Sequence, residues 1–364
     1  MKEIEKLRNK IDTIDDKILA LLNERMLHVK DIGAIKQNLG GSIYRPERER
    51  AIINRLKNYN HGLLDQNAIE AIYQEIFAVS RNLEMPQSIA YLGPEGSYTH
   101  QVARTRFGAM SRYTPLANIE DVFKELAHKE AKYGVVPIEN NTAGAVGVTL
   151  DCLGKYEDVK IFAEIYMDIH HSFVSMSENL KDIKRIYSHP QGYNQCRNFL
   201  ESHDLSEVEF VASKSTAHAA YLASQDVTSA AICSKIAAKL YNVPILFETI
   251  EDNLANRTRF LILSDIKIPQ MPHCKTSILA LAAHKPGGLS DLLYEFKKEG
   301  INLTKLESRP IKTREFVHSF YIDFEGHIDD ENVQRVLKKA DHIKWLGSYL
   351  SGESNEIESF FRSY

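Results

Sequence analysis

The chain has 364 residues, of which 43% are hydrophobic and 26% charged, and a formal net charge of −4. That is the composition of a soluble globular protein with enough length for two or three cores. It excludes a strongly basic nucleic-acid binder or membrane-surface protein, so any anionic ligand must be held by local clusters of Lys and Arg.

The opening MKEIEKLRNKID is charged and lacks the apolar stretch of a signal peptide, and no apolar run approaches the ~20 residues that span a bilayer. A cytoplasmic location is expected, with no membrane partner. Cys152, Cys196, Cys233 and Cys274 are far apart and show no zinc spacing, so they read as reduced structural thiols, with no metal expected.

Three regions follow one another. Residues 1–86 are helical, charged and nearly free of Gly and Pro, until "EMPQSIAYLG" breaks the pattern. Residues 88–268 alternate β-rich and helical stretches. After the linker "KIPQMPHCK", residues 275–352 alternate strand and helix on a smaller scale.

In the first region Ile4, Leu7, Ile11, Ile14, Ile18 and Leu21 recur at spacings of three and four, and the seam continues through Arg25, His28, Ile32 and Ile35. The spacing predicts one helix from about residue 3 to about residue 37, roughly 50 Å long. A region this short cannot cover such a helix alone, so a dimer of interlocked long helices is expected. Arg25 stands where an apolar residue belongs, either as a register device, as an arginine that snorkels outward, or as a ligand group. Pro46 opens a second helix carrying Arg48, Glu49 and Arg50, and Asp65 is a predicted N-cap for a third. Ser80 and Glu84 lie one turn apart beside that helix's seam. Cations and hydrogen-bonding groups along a helical core suit a small ligand with several carboxylates.

"LRNKID…LLNERMLHVKDIGAIK…YRPERER…VSRNLE" resembles the all-helical chorismate mutase family across this whole region. The resemblance implies a site of Arg8, Arg25, Lys36, Arg48, Glu49, Ser80 and Glu84, with Arg8 reaching the partner subunit's site. Arginines would clamp the two carboxylates of chorismate, Lys36 would favour charge on the breaking ether oxygen, and Glu49 would accept from the substrate hydroxyl. Arg45 stands where some members have an acidic residue. Glu84 stands where some have Gln, and a carboxyl donates to the ether oxygen only when protonated. Mutase activity is therefore expected to fall towards alkaline pH, and Glu84→Gln to flatten the profile.

The central region repeats a strand, a polar turn and a helix. "IAYLGPEGSYTHQVARTRFG" lacks the Walker pattern and the glycine fingerprint of dinucleotide folds. "YGVVPIENNTAGAVGVTLDCL" is expected to put Glu139, Asn140, Asn141 and Thr142 at a helix N-terminus. Ser188 and Gln195 follow another strand, and Ser215 and Thr216 read as caps of a further helix. Each loop taken singly reads as a helix cap. Several polar strand ends in one α/β unit point to a ligand cleft. "NRTRFLIL" sets Arg257, Thr258 and Arg259 before the apolar run Phe260–Leu263.

In order, "GPEGSYT", "VPIENNTAG", "SHPQGYNQC", "STAHAA" and "NRTRF" resemble the prephenate dehydratase family. The resemblance implies two α/β lobes like those of periplasmic binding proteins, with the site between them and "NRTRF" returning the chain to the first lobe. It implies Thr258 as the donor to the leaving hydroxyl of prephenate. Arg259 would anchor or orient substrate, and Glu139, Asn140, Ser188, Gln195 and Thr216 would line the cleft. Arg257 reads as a solvated surface charge.

The third region has the order βαββαβ, a ferredoxin-like plait, and no evident catalytic set. Its "PGGL" and "ESRP" resemble the two effector motifs of ACT domains. That resemblance implies phenylalanine binding near Gly287, Gly288, Leu289, Glu307, Ser308, Arg309 and Pro310. Together the three resemblances imply a multidomain bifunctional enzyme of phenylalanine biosynthesis, feedback inhibited, without metal or organic cofactor, and a homodimer or higher homo-oligomer. The alternatives are a monofunctional dehydratase with a helical dimerisation region and a non-catalytic amino-acid-responsive binding protein.

Overall fold

The computed structural model describes residues 2–39, 46–84, 87–108, 111–282, 285–310, 318–339 and 342–350. The chain divides into two compact units, residues 1–87 with 107–112 and residues 88–106 with 113–354.

The first unit is built on α1 (Lys2–Leu39), α2 (Pro46–Tyr59) and α3 (Gln66–Glu84). The heptad seam does make one helix, ~57 Å long at 1.5 Å per residue. Asp65 caps α3 as expected, its Oδ1 accepting from the Ala68 N–H at 2.7 Å. Val29, Ile53, Ile69, Phe77 and Ala78 are buried, while Ile4, Leu7, Ile11, Ile14, Ile18 and Leu21 are each 50–65% exposed.

The second unit begins with β1 (Ser88–Leu92), α4 (Tyr98–Phe107), β2 (Arg112–Leu116), α5 (Ile119–Ala127), β3 (Tyr133–Asn140), β4 (Gly144–Ala145), α6 (Gly147–Lys155) and β5 (Lys160–Asp168). A second group follows: β6 (Ser172–Ser175), β7 (Arg185–Ser188), α7 (Pro190–Asn194), α8 (Arg197–Ser202), β8 (Glu209–Ala212), α9 (Thr216–Gln225), β9 (Ser229–Cys233), α10 (Lys235–Leu240) and β10 (Ile245–Phe247). Then β11 (Arg257–Ser264) returns to the first group and inserts between β3 and β5, giving the order β2-β1-β3-β11-β5 with β4 on β3. The second group forms its own sheet, β10-β6-β9-β7-β8. Paired on both edges and covered on both faces, β11 needs an uninterrupted apolar run, and Phe260 to Leu263 supply it.

Glu139 to Thr142 do not sit at a helix N-terminus. Glu139 and Asn140 end β3, and α6 starts only at Gly147. The Asn140 side-chain oxygen accepts from the backbone N–H groups of Thr142 and Ala143 at 3.0 and 2.9 Å, which closes a turn into β4.

The remaining elements are β12 (Cys274–Leu281), α11 (Gly288–Lys298), β13 (Leu303–Pro310), β14 (His318–Glu325), α12 (Glu331–Leu337) and β15 (Ile343–Leu350). They form an antiparallel sheet, β13-β14-β12-β15, in the βαββαβ order read from the sequence. Tyr321, Leu346 and Tyr349 of this sheet share one buried cluster with Leu261, Leu263 and Ile161 of the first sheet. At Gly347 the backbone comes so close to Ile161 that a Cβ would overlap the Ile161 carbonyl.

Candidate active site

The two sheets of the central region are joined by two crossovers, residues 169–171 and 248–256. These are bound to each other. Ile169 N–H donates to the Asn256 carbonyl at 2.8 Å, and Ile250 N–H to the His171 carbonyl at 3.0 Å. Glu251 accepts from the His171 backbone N–H at 2.8 Å and lies 2.6 Å from His170 Nδ1. The polar strand ends converge around this junction, as open α/β sheets place ligands at the carboxyl ends of their strands.

A chain of side-chain hydrogen bonds crosses it, and backbone groups fix its direction. Because the Asn140 oxygen is held by two backbone N–H groups, its NH2 must face the other way. That NH2 donates to Thr258 Oγ1 at 2.8 Å and to Asn256 Oδ1 at 2.9 Å. Thr258 is buried, and none of the described residues accepts its hydroxyl proton. Asn256 in turn directs its own NH2 at Gln195 Oε1, at 3.4 Å.

His171 meets the same Gln195 oxygen with Nε2 at 2.9 Å, and Tyr98 Oη lies 2.9 Å from its Nδ1. An amide oxygen only accepts, so Nε2 carries the proton. Burial lowers the imidazole pKa against the opposing pull of Gln195 and Glu251, which favours the neutral ring and leaves Nδ1 as an acceptor facing Tyr98, whose hydroxyl also reaches the His170 carbonyl at 2.7 Å. Burial, chiefly, raises the Tyr98 pKa well above its ordinary value, so the phenol keeps its proton.

Ser188 and Thr216 belong to the same cluster. A Cβ added at Gly192 would lie 3.2 Å from Ser188 Oγ, 3.7 Å from His171 Cε1 and 3.8 Å from Thr216 Cγ2. Ser215 caps α9 by accepting from the His218 N–H at 3.0 Å, with Thr216 as the first helical residue. Asn140, Ser188, Gln195, Thr216 and Thr258 are thus brought together. His171, Tyr98 and Asn256 join them without having been singled out in the sequence. The available signal was their place, since His171 and Asn256 lie in the two crossovers.

Glu139 and Arg259 are not in this cluster. Successive strand residues face opposite sides, so Arg259 points away from Thr258. It is 3% exposed, and its guanidinium lies 2.7 Å from Glu164 Oε2, 2.7 Å from Asp323 Oδ2 and 3.1 Å from Tyr349 Oη. The approach to Asp323 Oδ2 is a charge contact without hydrogen-bond alignment. Burial alone would lower the arginine's pKa, but Asp323 and Glu164 hold it well above the ordinary value. Lys275 approaches the other Glu164 oxygen at 3.0 Å, and Glu139 pairs with Lys305 at 2.5 Å. The structure thus places Arg259 and Glu139 apart from the Thr258 cluster. Their partners are groups of β5 and the C-terminal sheet, because strand alternation turns both side chains to that face. Arg257 is exposed, 3.5 Å from Asp168 and over the ring of Tyr166.

In the helical unit Arg25 Nη1 donates to Ser80 Oγ at 2.6 Å and lies over the Phe77 ring. Glu49 is paired with Arg81 at 2.5 Å, a buried arginine that sequence reading passed over. Arg48 and Arg8 are exposed. Arg8 and Arg25 are seventeen residues apart on one helix, ~25 Å, and cannot serve one small ligand from a single chain. The side chains of Lys36 and Glu84, and all of Arg45, lie outside the described residues.

In the C-terminal sheet Gly287 has φ +82°, a conformation glycine adopts freely, and precedes α11, which starts at Gly288, followed by Leu289. Glu307, Ser308, Arg309 and Pro310 alternate along β13. Arg309 is turned to α6, with Nη2 3.1 Å from Asp151 Oδ1 and its guanidinium against Gly147. Among the described residues, no hydrogen bond or ion pair joins the two motifs.

A helical unit carrying arginines and a two-sheet α/β unit with a polar cluster at its crossovers define an enzyme with two sites for small anionic substrates. The chorismate mutase type II family model matches residues 7–85, and the prephenate dehydratase model residues 89–267. The bifunctional chorismate mutase/prephenate dehydratase of Aquifex aeolicus (strain VF5) is 41% identical over 357 residues, covering 96% of this chain and 98% of that protein. The crystal structure of prephenate dehydratase in complex with L-Phe from Arthrobacter aurescens aligns with TM-score 0.67 and 30% identity, over 73% of this chain and 90% of that one. A structure described as GqqA, a novel type of quorum quenching acylases, aligns with TM-score 0.67 and 26% identity, over 73% of this chain and 99% of that one.

The chain belongs to the bifunctional chorismate mutase/prephenate dehydratase family. It rearranges chorismate to prephenate and converts prephenate to phenylpyruvate.

Proposed function

We propose that the dehydratase reaction runs in the Thr258 cluster. Loss of the ring carboxylate as carbon dioxide sends an electron pair into the ring, and the ring hydroxyl leaves as water by taking up one proton that comes from solvent. The Thr258 hydroxyl donates to that leaving oxygen. The observation that carries this is the Asn140 NH2 on Thr258 Oγ1, which makes the oxygen an acceptor there and leaves its proton for the substrate. Threonine is a weak acid, so it acts as a hydrogen-bond donor or relay and not as a stored proton. Asn140, Ser188, Gln195 and Thr216 line the substrate side.

The mutase reaction takes Arg25, Lys36, Arg48, Glu49, Ser80 and Glu84 from one chain and Arg8 from a second. The Arg25–Ser80 contact and the ~25 Å between Arg8 and Arg25 support this division. The exposed apolar stripe of α1 supports a homodimer or higher homo-oligomer. In this reading residues 1–86, 88–268 and 275–352 are the mutase, dehydratase and ACT regulatory domains. The last takes phenylalanine near Gly287, Gly288, Leu289, Glu307, Ser308 and Pro310 as feedback inhibitor, with Arg309 beside it. Support comes from the βαββαβ sheet and from the similar dehydratase described in complex with L-Phe. No helix of the described residues is long and apolar enough to cross a membrane, and the enzyme works in the cytoplasm. Turnover of chorismate and of prephenate by the full chain, each with and without phenylalanine, tests the whole reading. Prephenate turnover indifferent to phenylalanine would remove the regulatory part.

A further inference from the structure

We propose that His171 and Tyr98 are positioning residues of the dehydratase: together they hold the Gln195 amide with its NH2 towards a carboxylate of prephenate. This rests on the reading of the Thr258 cluster as the dehydratase site.

An amide side chain has two ends of opposite polarity and little intrinsic preference between them. A site that takes a dicarboxylate needs the NH2 end forward, since an amide oxygen facing a carboxylate repels it. Two donors hold the Gln195 oxygen back, Asn256 Nδ2 at 3.4 Å and His171 Nε2 at 2.9 Å. The Asn256 contact is long, so the shorter imidazole contact sets the orientation.

His171 donates from Nε2 only while Nδ1 is the unprotonated nitrogen. Tyr98 favours that tautomer when it turns its hydroxyl to Nδ1, 2.9 Å away. The phenol has one proton and two acceptors, His171 Nδ1 and the His170 carbonyl at 2.7 Å. Turning it to the carbonyl releases the tautomer and, with it, Gln195. The groups facing the imidazole are Tyr98, Gln195 and the backbone-bound Glu251. None of the described residues accepts from the Gln195 NH2.

The two ends of the cluster then divide the work. Thr258 acts on the leaving hydroxyl, and Gln195 holds a carboxylate that does not change its position on reaction. An anchor of that kind binds ground state and transition state alike, so its loss raises KM and leaves kcat nearly unchanged.

The test is steady-state kinetics on prephenate with the full-length protein, with chorismate mutase turnover as the folding control. His171→Leu and Tyr98→Phe are expected to raise KM roughly tenfold, the size of one hydrogen bond to a charged group, with kcat within about twofold. His171→Gln, whose amide can donate from the Nε2 position, is expected to restore KM. In the double variant His171→Leu/Gln195→Leu, KM should be no higher than in Gln195→Leu alone, because both remove the same contact. Additive KM effects, unchanged KM in Tyr98→Phe, or a fall in kcat with KM unmoved would each overturn the proposal. If Thr258→Val leaves prephenate turnover intact, the site reading itself has failed. If Thr258→Val is inactive and His171→Leu is silent, only this inference has failed.

Discussion

Thr258 and Arg259 are consecutive residues of β11 and serve opposite faces of it. Thr258 takes a hydrogen bond from Asn140 at the junction of the two lobes. Arg259 is buried among Glu164, Asp323 and Tyr349, where the C-terminal sheet packs on the first lobe. Asp323 lies on β14 and Tyr349 on β15, so one strand carries the proposed hydrogen-bond donor and a buried bridge to the C-terminal region.

Thr258→Val keeps the size and branching of the side chain and removes its hydroxyl. Asn140 then loses one acceptor and the leaving oxygen loses its donor. Removing one such donor costs roughly 10²–10³-fold in kcat in comparable sites. Dehydratase kcat is expected to fall at least that far, with mutase kcat unchanged. Measuring both rates on one preparation separates this from misfolding, and retained prephenate turnover would take Thr258 out of the mechanism.

Asp323→Asn tests the other face. It leaves Arg259 with Glu164 and the more distant Glu139, 3.9 Å away, against burial that disfavours its charge. Breaking a buried pair by removing one partner typically costs ~3–5 kcal/mol. The thermal midpoint of the α/β unit should drop by several degrees. Arg259→Lys should lower the midpoint as well, because an ammonium cannot reach two carboxylates and a phenol as the planar fork does. An unchanged midpoint in Asp323→Asn would show the network to be energetically idle.

The sequence carried the helices, the central strands and the polar strand ends because each has a local signature. The α1 heptads, the Asp65 and Ser215 caps and the apolar run after Arg259 all gave the element that forms. Which face a polar residue serves was less legible. Arg259 and Glu139 were expected at the substrate from the family resemblance, but strand alternation turns them to the C-terminal sheet. Their partners Asp323 and Lys305 are more than sixty residues away in the chain, and no local pattern announces such a pairing. His171 and Arg81 were missed for a related reason. A single histidine between two strands, or one more arginine on a charged helix, gains meaning only from the groups brought to it.

Stability should depend on pH through His171 and His100, whose pKa values are lowered from 6.5 mainly by burial. Between each lowered folded value and the unfolded value the unfolded chain binds more protons, so stability rises with pH there and is flat above about 6.5. Their contribution is fully present above pH 6.5 and is lost as pH falls through the folded values. Denaturant midpoints across pH 5–8 are expected to decline on the acid side, less steeply in His171→Gln. A decline of equal slope in that variant would assign the acid loss to other groups.

The long helix makes a different kind of prediction, because its apolar stripe has no cover among the described residues. Seven Ile and Leu side chains from Ile4 to Leu21 are half exposed or more on α1, all but Leu19 on the heptad seam. Each is worth ~1.5–3 kcal/mol when fully buried, so a second copy laid along the stripe gains far more than association costs at micromolar concentration. Ile14→Glu places a charge in the middle of that seam. Light scattering should show a lighter species, with mutase activity lost because Arg8 no longer reaches a partner's site. Dehydratase kcat should persist, since the Thr258 cluster draws on one chain only. If Ile14→Glu keeps both its mass and its mutase rate, the stripe is not the interface. A monomer that still rearranges chorismate would show instead that Arg8 is dispensable.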